Sequence, residues 1–283
     1  MIVVTGASGQ LGRLVIQSLL KTVPAAGIVA AVRQPAAVAD LAALGVQVRQ
    51  ADYAQPATLD AAFQGATKVL LISSSALGER VAQHGNVIDA ARRAGVALLA
   101  YTSLLHADTS PLGLAAEHTA TEALLRASGV PHVLLRNGWY TENYLASLPA
   151  VLQHGAVIGS AGEGRIASAA RADYADAAAA VLTRDDQAGQ VHELAGDTSY
   201  TLAEFAAEVG RQTGRAIPYV NLPEADYRGA LLGAGLPEPL AHLLADSDVG
   251  ASKGGLFDDG HRLSALIGRP TTALAAMVEA ALR

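Results

Sequence analysis

A glycine-rich turn near the start of the chain limits its fold more than any other feature. The apolar, β-branched segment Ile2–Thr5 precedes three glycines spaced G-x-x-G-x-x-G, and residues 11 to 19 then carry apolar side chains at helical spacing. A strand, a tight turn and a helix in this order are typical of dinucleotide-binding domains, where backbone N–H groups at the helix N-terminus meet the pyrophosphate. The alternative is a tight turn without a ligand. We predict dinucleotide contacts from Gly6, Ala7, Ser8, Gly9, Gln10 and Leu11.

Short apolar segments continue to alternate with helical ones along the first half of the chain. Strands are predicted at 2–5, 27–32, 46–51, 68–73, 97–102 and 132–136, with helices between them. Strands this apolar are covered on both faces, which predicts an α/β fold with a doubly wound parallel Rossmann sheet. We assign residues 1–137 to this dinucleotide-binding domain.

The regular alternation weakens after Asn137. Residues 201–212 and 263–281 have helical patterns, and 192–195 has the pattern of a strand that returns to the sheet. The acidic residues Asp246, Asp248, Asp258 and Asp259 are interpreted as loop or helix-capping residues rather than as a metal site. We therefore predict that residues 138–283 form a smaller, substrate-covering lobe with segments returning to the first domain.

Composition argues against several classes of partner. The formal net charge is −6, and the three lysines, Lys21, Lys68 and Lys253, are scattered, so neither a nucleic-acid surface nor an anionic-membrane surface is expected. Cysteine is absent and the histidines are scattered, so we expect no metal site. The N-terminal segment lacks the pattern of a signal peptide and no long apolar span occurs, so a cytoplasmic protein without membrane insertion is expected.

Arg33, at the end of the second predicted strand, bears on the choice of dinucleotide. NAD-binding sites usually carry an acidic residue here for the ribose hydroxyls, and no acidic residue occurs before Asp40. A guanidinium can bind the 2′-phosphate of NADP with two hydrogen bonds. This favours NADPH over NADH, unless Arg33 is an ordinary solvated side chain.

Two further strand ends carry polar residues that suit a cofactor crevice. Asp52, after the third strand, could accept a hydrogen bond from the adenine amino group or cap the next helix, and we weigh these alternatives equally. Ser73, Ser74 and Ser75 follow the fourth strand, where they would line the ribose or form an ordinary loop.

The catalytic prediction depends on a missing motif. Many short-chain dehydrogenases use Tyr-x-x-x-Lys, in which the lysine lowers the pKa of the tyrosine. None of the eight tyrosines has a lysine four residues later, so alcohol oxidation by that mechanism is not expected. Ser103 remains a candidate donor, and His118 is interpreted as a helix-surface or core histidine rather than an acid.

An aromatic segment follows the sixth predicted strand, where the nicotinamide half of a dinucleotide is expected. Asn137, Trp139 and Tyr140 are our candidates for contacts with a planar substrate, because flat aromatic rings stack on planar acceptors. Packing between domains is the alternative for the two aromatic residues.

Several long stretches resemble a known family. They are TGASGQLG (5–12), LLISSS (70–75), AYTSLLHADTSPLGLA (100–115), LLRNGWYTENYLAS (134–147), RADYADAAA (171–179) and LADSDVGASKGGLFDD (244–259). In these stretches the chain resembles the NmrA-like, atypical short-chain dehydrogenases, a family that includes quinone reductases, triphenylmethane-dye reductases and regulators.

The resemblance implies an NADPH-dependent reductase of a quinone, without flavin or metal. The alternatives are a reductase of other planar electrophiles such as triphenylmethane dyes, or a non-catalytic, NADP-binding redox-sensing regulator. Carried over by position, the resemblance implies NADPH contacts from the glycine turn, Arg33 and the three serines, and from Asn137, Gly138, Trp139, Tyr140, Thr141 and Glu142. It implies no agreed catalytic acid or base.

Overall fold

A seven-stranded parallel sheet with helices on both faces dominates the structure. The computed structural model describes all 283 residues, and its large sheet has the strand order β3-β2-β1-β4-β5-β6-β8. The strands are β1 (Ile2–Thr5), β2 (Ile28–Val32), β3 (Gln47–Gln50), β4 (Lys68–Leu71), β5 (Leu98–Leu104), β6 (His132–Asn137), β7 (Val157–Gly159), β8 (Val191–Leu194) and β9 (Tyr219–Asn221). The central strands are buried on both faces, which accounts for their unbroken apolar sequences. The predicted doubly wound α/β fold is confirmed.

Thirteen α-helices and two short 3₁₀ turns complete the chain. The helices are α1 (Gln10–Leu19), α2 (Ala39–Ala43), α3 (Pro56–Ala62), α4 (Arg80–Ala94), α5 (Ala115–Ser128), α6 (Thr141–Leu145), α7 (Leu148–His154), α8 (Arg171–Thr183), α9 (Leu202–Thr213), α10 (Glu224–Gly233), α11 (Glu238–Ser252), α12 (Arg262–Ile267) and α13 (Leu274–Leu282). α8 packs against α1 through small side chains, and Ala177 and Ala178 are buried there.

The strand order reverses next to β1, and this reversal determines where a ligand can bind. β1 pairs with β2 on one side and β4 on the other, so the helices after β1 and β4 lie on opposite faces of the sheet. The loops after these two strands separate at their carboxyl ends. In open α/β sheets, a crevice forms at this point.

The chain divides into two compact units, and we describe each of them by itself. The first unit comprises Met1–Leu104, Ala116–Asn137 and Arg171–His192; the second comprises Leu105–Ala115, Gly138–Ala170 and Glu193–Arg283. The first unit holds the glycine turn and all the strand ends around it. β8 begins one residue earlier than the returning strand predicted at 192–195 and joins the sheet beside β6.

The second unit contains a small parallel sheet of β7 and β9, together with short helices. Within it, Asp246 and Asp248 lie inside α11, so their assignment to a loop or cap was wrong. Both carboxylates instead receive backbone N–H groups from other segments: Gly113 donates to Asp246, and Ser160 donates to Asp248, each over 2.8 Å. Burial raises the pKa of Asp248 to about 6.

The prediction of one helix over 263–281 was also wrong. Two helices occupy this region, α12 and α13, separated by Gly268 and Pro270. Gly268 ends α12 in the left-handed conformation with φ of +72°, and Pro270 has no N–H group with which to continue a helix. The apolar periodicity resumes after the break, which is why the sequence resembled one element.

No helix combines the length and the apolar character required to cross a bilayer. The structure also contains no group of three or more histidine, aspartate or glutamate side chains arranged to hold a metal ion.

Candidate cofactor site

The glycine turn forms the floor of the site in the first unit. Gly6 has a φ of +59°, which a side chain would make unfavourable, and the chain then enters α1 at Gly9. No side chain caps α1, so the N–H groups of its first turn are open to a ligand. A Cβ atom on Gly12 would lie 2.5 Å from the Gly6 oxygen, whereas one on Gly9 would meet only that oxygen, at 3.3 Å. Gly12 therefore serves packing, and Gly9 leaves space above the turn.

A cavity of about 300 Å³ lies above this turn. It lies over the ends of β1, β2, β3 and β4, at the reversal of strand order. Its lining residues are Gly6, Ser8, Gly9, Ala31, Val32, Arg33, Ala51, Asp52, Tyr53, Ile72, Ser73, Ser74, Ser75, Ala76 and Gln83. The structure thus brings together predicted residues from four separate strand ends. Among the predicted turn residues, Ala7 and Leu11 are instead buried beneath the turn.

Arg33 is the one cationic side chain that lines the cavity. It is exposed and makes neither a hydrogen bond nor an ion pair within the protein. Arg13, on α1, is by contrast engaged by Asp40 at 2.6 Å and by the Ala37 oxygen. The Arg13 guanidinium holds the pKa of Asp40 below its usual value. Arg33 is therefore the guanidinium that is available to an anionic ligand.

Asp52 takes part in a turn and also faces the cavity. Its Oδ1 accepts a hydrogen bond from the Ala54 N–H at 2.9 Å, and its Oδ2 accepts one from Gln55 Nε2 at 3.2 Å. The N-cap of α3 is Gln55 rather than Asp52. Asp52 therefore stabilises a turn and does not cap α3. Its half-buried carboxylate also lines the cavity.

Tyr53 joins the two strands on either side of the strand-order reversal, and the sequence analysis missed it. Its hydroxyl lies 2.8 Å from the Ile72 oxygen and 2.5 Å from Thr5 Oγ1, and Thr5 Oγ1 also reaches the Leu70 oxygen at 2.8 Å. Each hydroxyl has a single proton, so the two hydroxyls together can donate in only two of these three contacts. Burial raises the pKa of Tyr53 well above its usual value, so it stays protonated. The sequence did contain a signal for Tyr53, because it lies in the loop just after β3, which ends at the crevice.

The three serines after β4 do not have equivalent roles. The Ser73 N–H donates to Thr102 Oγ1 at 2.8 Å, but the hydroxyls of Ser73 and Ser75 make no hydrogen bond in the protein. The Ser74 hydroxyl, by contrast, donates to Gln83 Oε1 at 2.5 Å. Ser73 and Ser75 can therefore offer hydroxyls to a ligand, whereas Ser74 is held by the protein.

Helix α5 contributes to a buried polar network beside the ends of β5 and β6. Ser103 donates to Glu122 Oε1 at 2.7 Å, and Glu122 is fully buried in a two-point ion pair with Arg136. His118 Nδ1 lies 2.7 Å from the Tyr101 hydroxyl, and burial lowers the pKa of His118 to about 3. His118 is thus a core histidine, as interpreted from the sequence, and Ser103 has no free proton to donate.

Strand β6 ends at a buried side-chain acceptor that has no hydrogen-bond partner. Asn137, in the first unit, is 6% exposed, and its Oδ1 has no hydrogen-bond partner. Gly138, Trp139, Tyr140, Thr141 and Glu142 belong to the second unit. There Trp139 is 7% exposed, and Thr141 Oγ1 lies 2.8 Å from Ser168 Oγ. Trp139 is thus a buried side chain of the second unit.

Comparison with known proteins agrees with this site. Residues 6–185 match the NAD(P)H-binding family. The chain belongs to the NAD(P)H-binding family. Quinone oxidoreductase 2 of Escherichia coli strain K12 is 62% identical over 278 residues, which cover 98% of this chain and 97% of that protein.

Two solved structures are similar to this chain over its whole fold. The NADPH-dependent quinone oxidoreductase of Escherichia coli in complex with NADPH has a TM-score of 0.98 at 61% identity and covers both chains fully. The triphenylmethane reductase of Citrobacter sp. in complex with NADP(H) has a TM-score of 0.96 at 38% identity, covering 99% of this chain and 100% of that one. The predicted family and cofactor class are confirmed.

Proposed function

We propose that the chain is an NADPH-dependent quinone reductase that uses neither flavin nor metal. The observation that carries this proposal is the 62% identity to a quinone oxidoreductase over nearly the full length of both chains. The unpaired Arg33 beside the cavity and the open turn at Gly9 supply independent physical support for NADPH.

The residues of the first unit fit the parts of NADPH in order along the sheet edge. The N-terminus of α1 and the turn at Gly9 suit the pyrophosphate, and Arg33 suits the 2′-phosphate. The free hydroxyls of Ser73 and Ser75 suit the ribose. We assign the nicotinamide end to residues 137–142, at the end of β6 and directly after it, because a dinucleotide extends along the strand ends across the reversal point.

The protein's part in the reaction is then mainly positioning. When bound, NADPH supplies a hydride, and the quinone takes up that hydride and one proton to become a hydroquinone. A quinone accepts hydride without prior protonation, so a site that holds donor and acceptor at attack distance suffices. The commitment of Ser103 to Glu122 and the low pKa of His118 agree with a reaction in which neither acts as the acid. We assign the contacts to the acceptor to Asn137, Trp139 and Tyr140, with water as the proton source.

Reduction of a cationic dye is the second candidate function. The triphenylmethane reductase relative has nearly the same fold at lower identity, and it also binds NADP(H). Both reactions deliver a hydride to a planar, electron-poor carbon framework, so the same site could serve either.

An acceptor panel separates these candidates. Purified, flavin-free protein is mixed with NADPH and, in parallel, with benzoquinone, menadione or a triphenylmethane dye, and NADPH absorbance is followed. We expect the quinones to give the higher kcat/KM. Turnover with the dye alone would favour the dye reductase. Tight NADPH binding without turnover of any acceptor would favour a regulator.

A further inference from the structure

The loop after β4 is held from behind by helix α4. Ser74 lines the cavity, and each of its polar groups has a partner on α4. Its N–H donates to His84 Nε2 at 2.9 Å, its carbonyl oxygen accepts from Arg80 Nε at 2.7 Å, and its hydroxyl donates to Gln83. Ser74 therefore cannot turn without breaking three hydrogen bonds, while Ser73 and Ser75 on either side keep free hydroxyls.

The direction of the hydrogen bonds fixes the protonation state of His84. Since Nε2 accepts the Ser74 N–H, it carries no proton, and the proton of the neutral ring lies on Nδ1. Nδ1 then donates to Thr121 Oγ1 at 2.9 Å. The Thr121 hydroxyl donates in turn to the backbone carbonyl oxygen of Glu117 at 2.9 Å. His84 has no exposed surface, and its burial, together with the charge of Arg80, lowers its pKa to about 3.

The charged groups around His84 are themselves paired. Arg80 lies on the same helix and forms an ion pair with Glu117 of α5 at 3.0 Å. Glu117 also accepts the Gly78 N–H at 2.8 Å, so the far end of the loop is attached to the same carboxylate. The rings of Tyr53 and Tyr101 meet the imidazole edge to face.

We propose that His84 is a positioning residue for the cofactor, whose neutral imidazole holds the Ser74 N–H so that the hydroxyls of Ser73 and Ser75 face bound NADPH. A loop that is already in its binding conformation avoids the entropy loss of ordering on binding. This inference rests on the proposed NADPH site, but it does not depend on the identity of the acceptor.

Two substitutions separate this role from simple packing. Glutamine places its amide near the position of Nε2, so His84→Gln can still accept the Ser74 N–H. Asparagine places its amide near the position of Nδ1, so His84→Asn keeps only the contact with Thr121. We expect the Kd for NADPH to stay within about twofold in His84→Gln and to rise about fivefold to tenfold in His84→Asn, the effect of one lost hydrogen bond. KM for NADPH should follow Kd, with kcat changed less.

The matched control is His192→Asn, at another buried histidine of the first unit that does not line the cavity. It should lower the melting temperature without changing Kd. Equal Kd values for His84→Asn and the wild type, or equally weak binding by both His84 variants, would overturn the proposal. Because Kd is measured without an acceptor, this result does not depend on whether the protein reduces quinones.

A measurement on the unaltered protein covers the case in which the variants do not fold. Nitrogen-15 NMR of the imidazole should show a neutral ring with its proton on Nδ1 throughout pH 5 to 8, and the Ser74 amide should exchange slowly. A proton on Nε2 in this range would contradict the proposal.

Discussion

Ser103 Oγ lies 2.7 Å from Glu122 Oε1, and the hydroxyl proton of this serine is directed to that buried carboxylate. Glu122 is in turn paired with Arg136 on the neighbouring strand. Ser103, at the end of β5, is therefore part of a closed structural network. This arrangement suits an acceptor that can take up hydride without an acid, and a quinone is such an acceptor.

Arg33→Ala should separate the two nicotinamide dinucleotides. Loss of a guanidinium that binds the 2′-phosphate should raise the Kd for NADPH at least tenfold, in line with a charged hydrogen bond of about 1.5–3 kcal/mol. The Kd for NADH should change by less than about twofold, because NADH has no phosphate at this position. Titration calorimetry with both dinucleotides measures this, and equal losses would contradict the assignment of Arg33.

Gly9→Val and Gly12→Val should fail in different ways. A side chain at Gly9 would meet only the Gly6 oxygen, at 3.3 Å, and would occupy the space above the turn, so NADPH binding should be lost with only a modest fall in the melting temperature. A side chain at Gly12 would collide with the Gly6 backbone, so Gly12→Val should not fold stably. Circular dichroism and NADPH titration check both outcomes. Retained binding in Gly9→Val would refute the pyrophosphate role of the turn.

Trp139 can be tested for packing and for substrate contact separately. Trp139→Ala should lower the free energy of unfolding by about 3–5 kcal/mol, because the ring is buried. Trp139→Phe keeps most of this packing, and we expect it to raise the KM for benzoquinone if the indole contacts the acceptor. An unchanged KM in the folded Phe variant would restrict Trp139 to packing.

His118 should make stability dependent on pH below neutrality. Its pKa is about 3 in the folded chain, compared with about 6.5 when unfolded, so the unfolded chain binds the proton first. The contribution of His118 to stability is present above pH 6.5 and is lost as the pH falls towards 3. Between pH 7 and pH 5, His118→Asn should lose about 2 kcal/mol less than the wild type, measured by urea unfolding. Equal losses would show that His118 is accessible to protons in the folded state.

The sequence predicted those parts of the site that depend on local pattern. Gly6, Gly9 and Gly12 are recognisable because a strand, a turn and a helix follow one another directly, and Arg33 is recognisable because it ends the next strand. The roles of Ser74 and His84 depend on helix α4 folding back behind the loop, a tertiary contact without a local signal. The sequence therefore indicated three similar serines where the structure has one fixed residue and two free hydroxyls.

The second unit was predicted less well for related reasons. Asp248 lies inside α11 as a buried carboxylate, which no helical periodicity of apolar residues indicates. Conversely, the regular apolar spacing over 263–281 concealed the break at Gly268 and Pro270. Buried polar groups and interrupted helices depend on the surrounding chain, and the pattern of one segment does not report them.

Oxidation of NADPH by benzoquinone, catalysed by flavin-free protein, tests the central claim most directly. Initial rates are compared with those of Gly9→Val at equal concentration and with NADH in place of NADPH. We predict rapid, saturable turnover by the wild type with NADPH, slower turnover with NADH, and none above background with Gly9→Val. Absence of turnover by a wild-type protein that binds NADPH, or equal rates for the wild type and Gly9→Val, would contradict hydride transfer to quinone at this site.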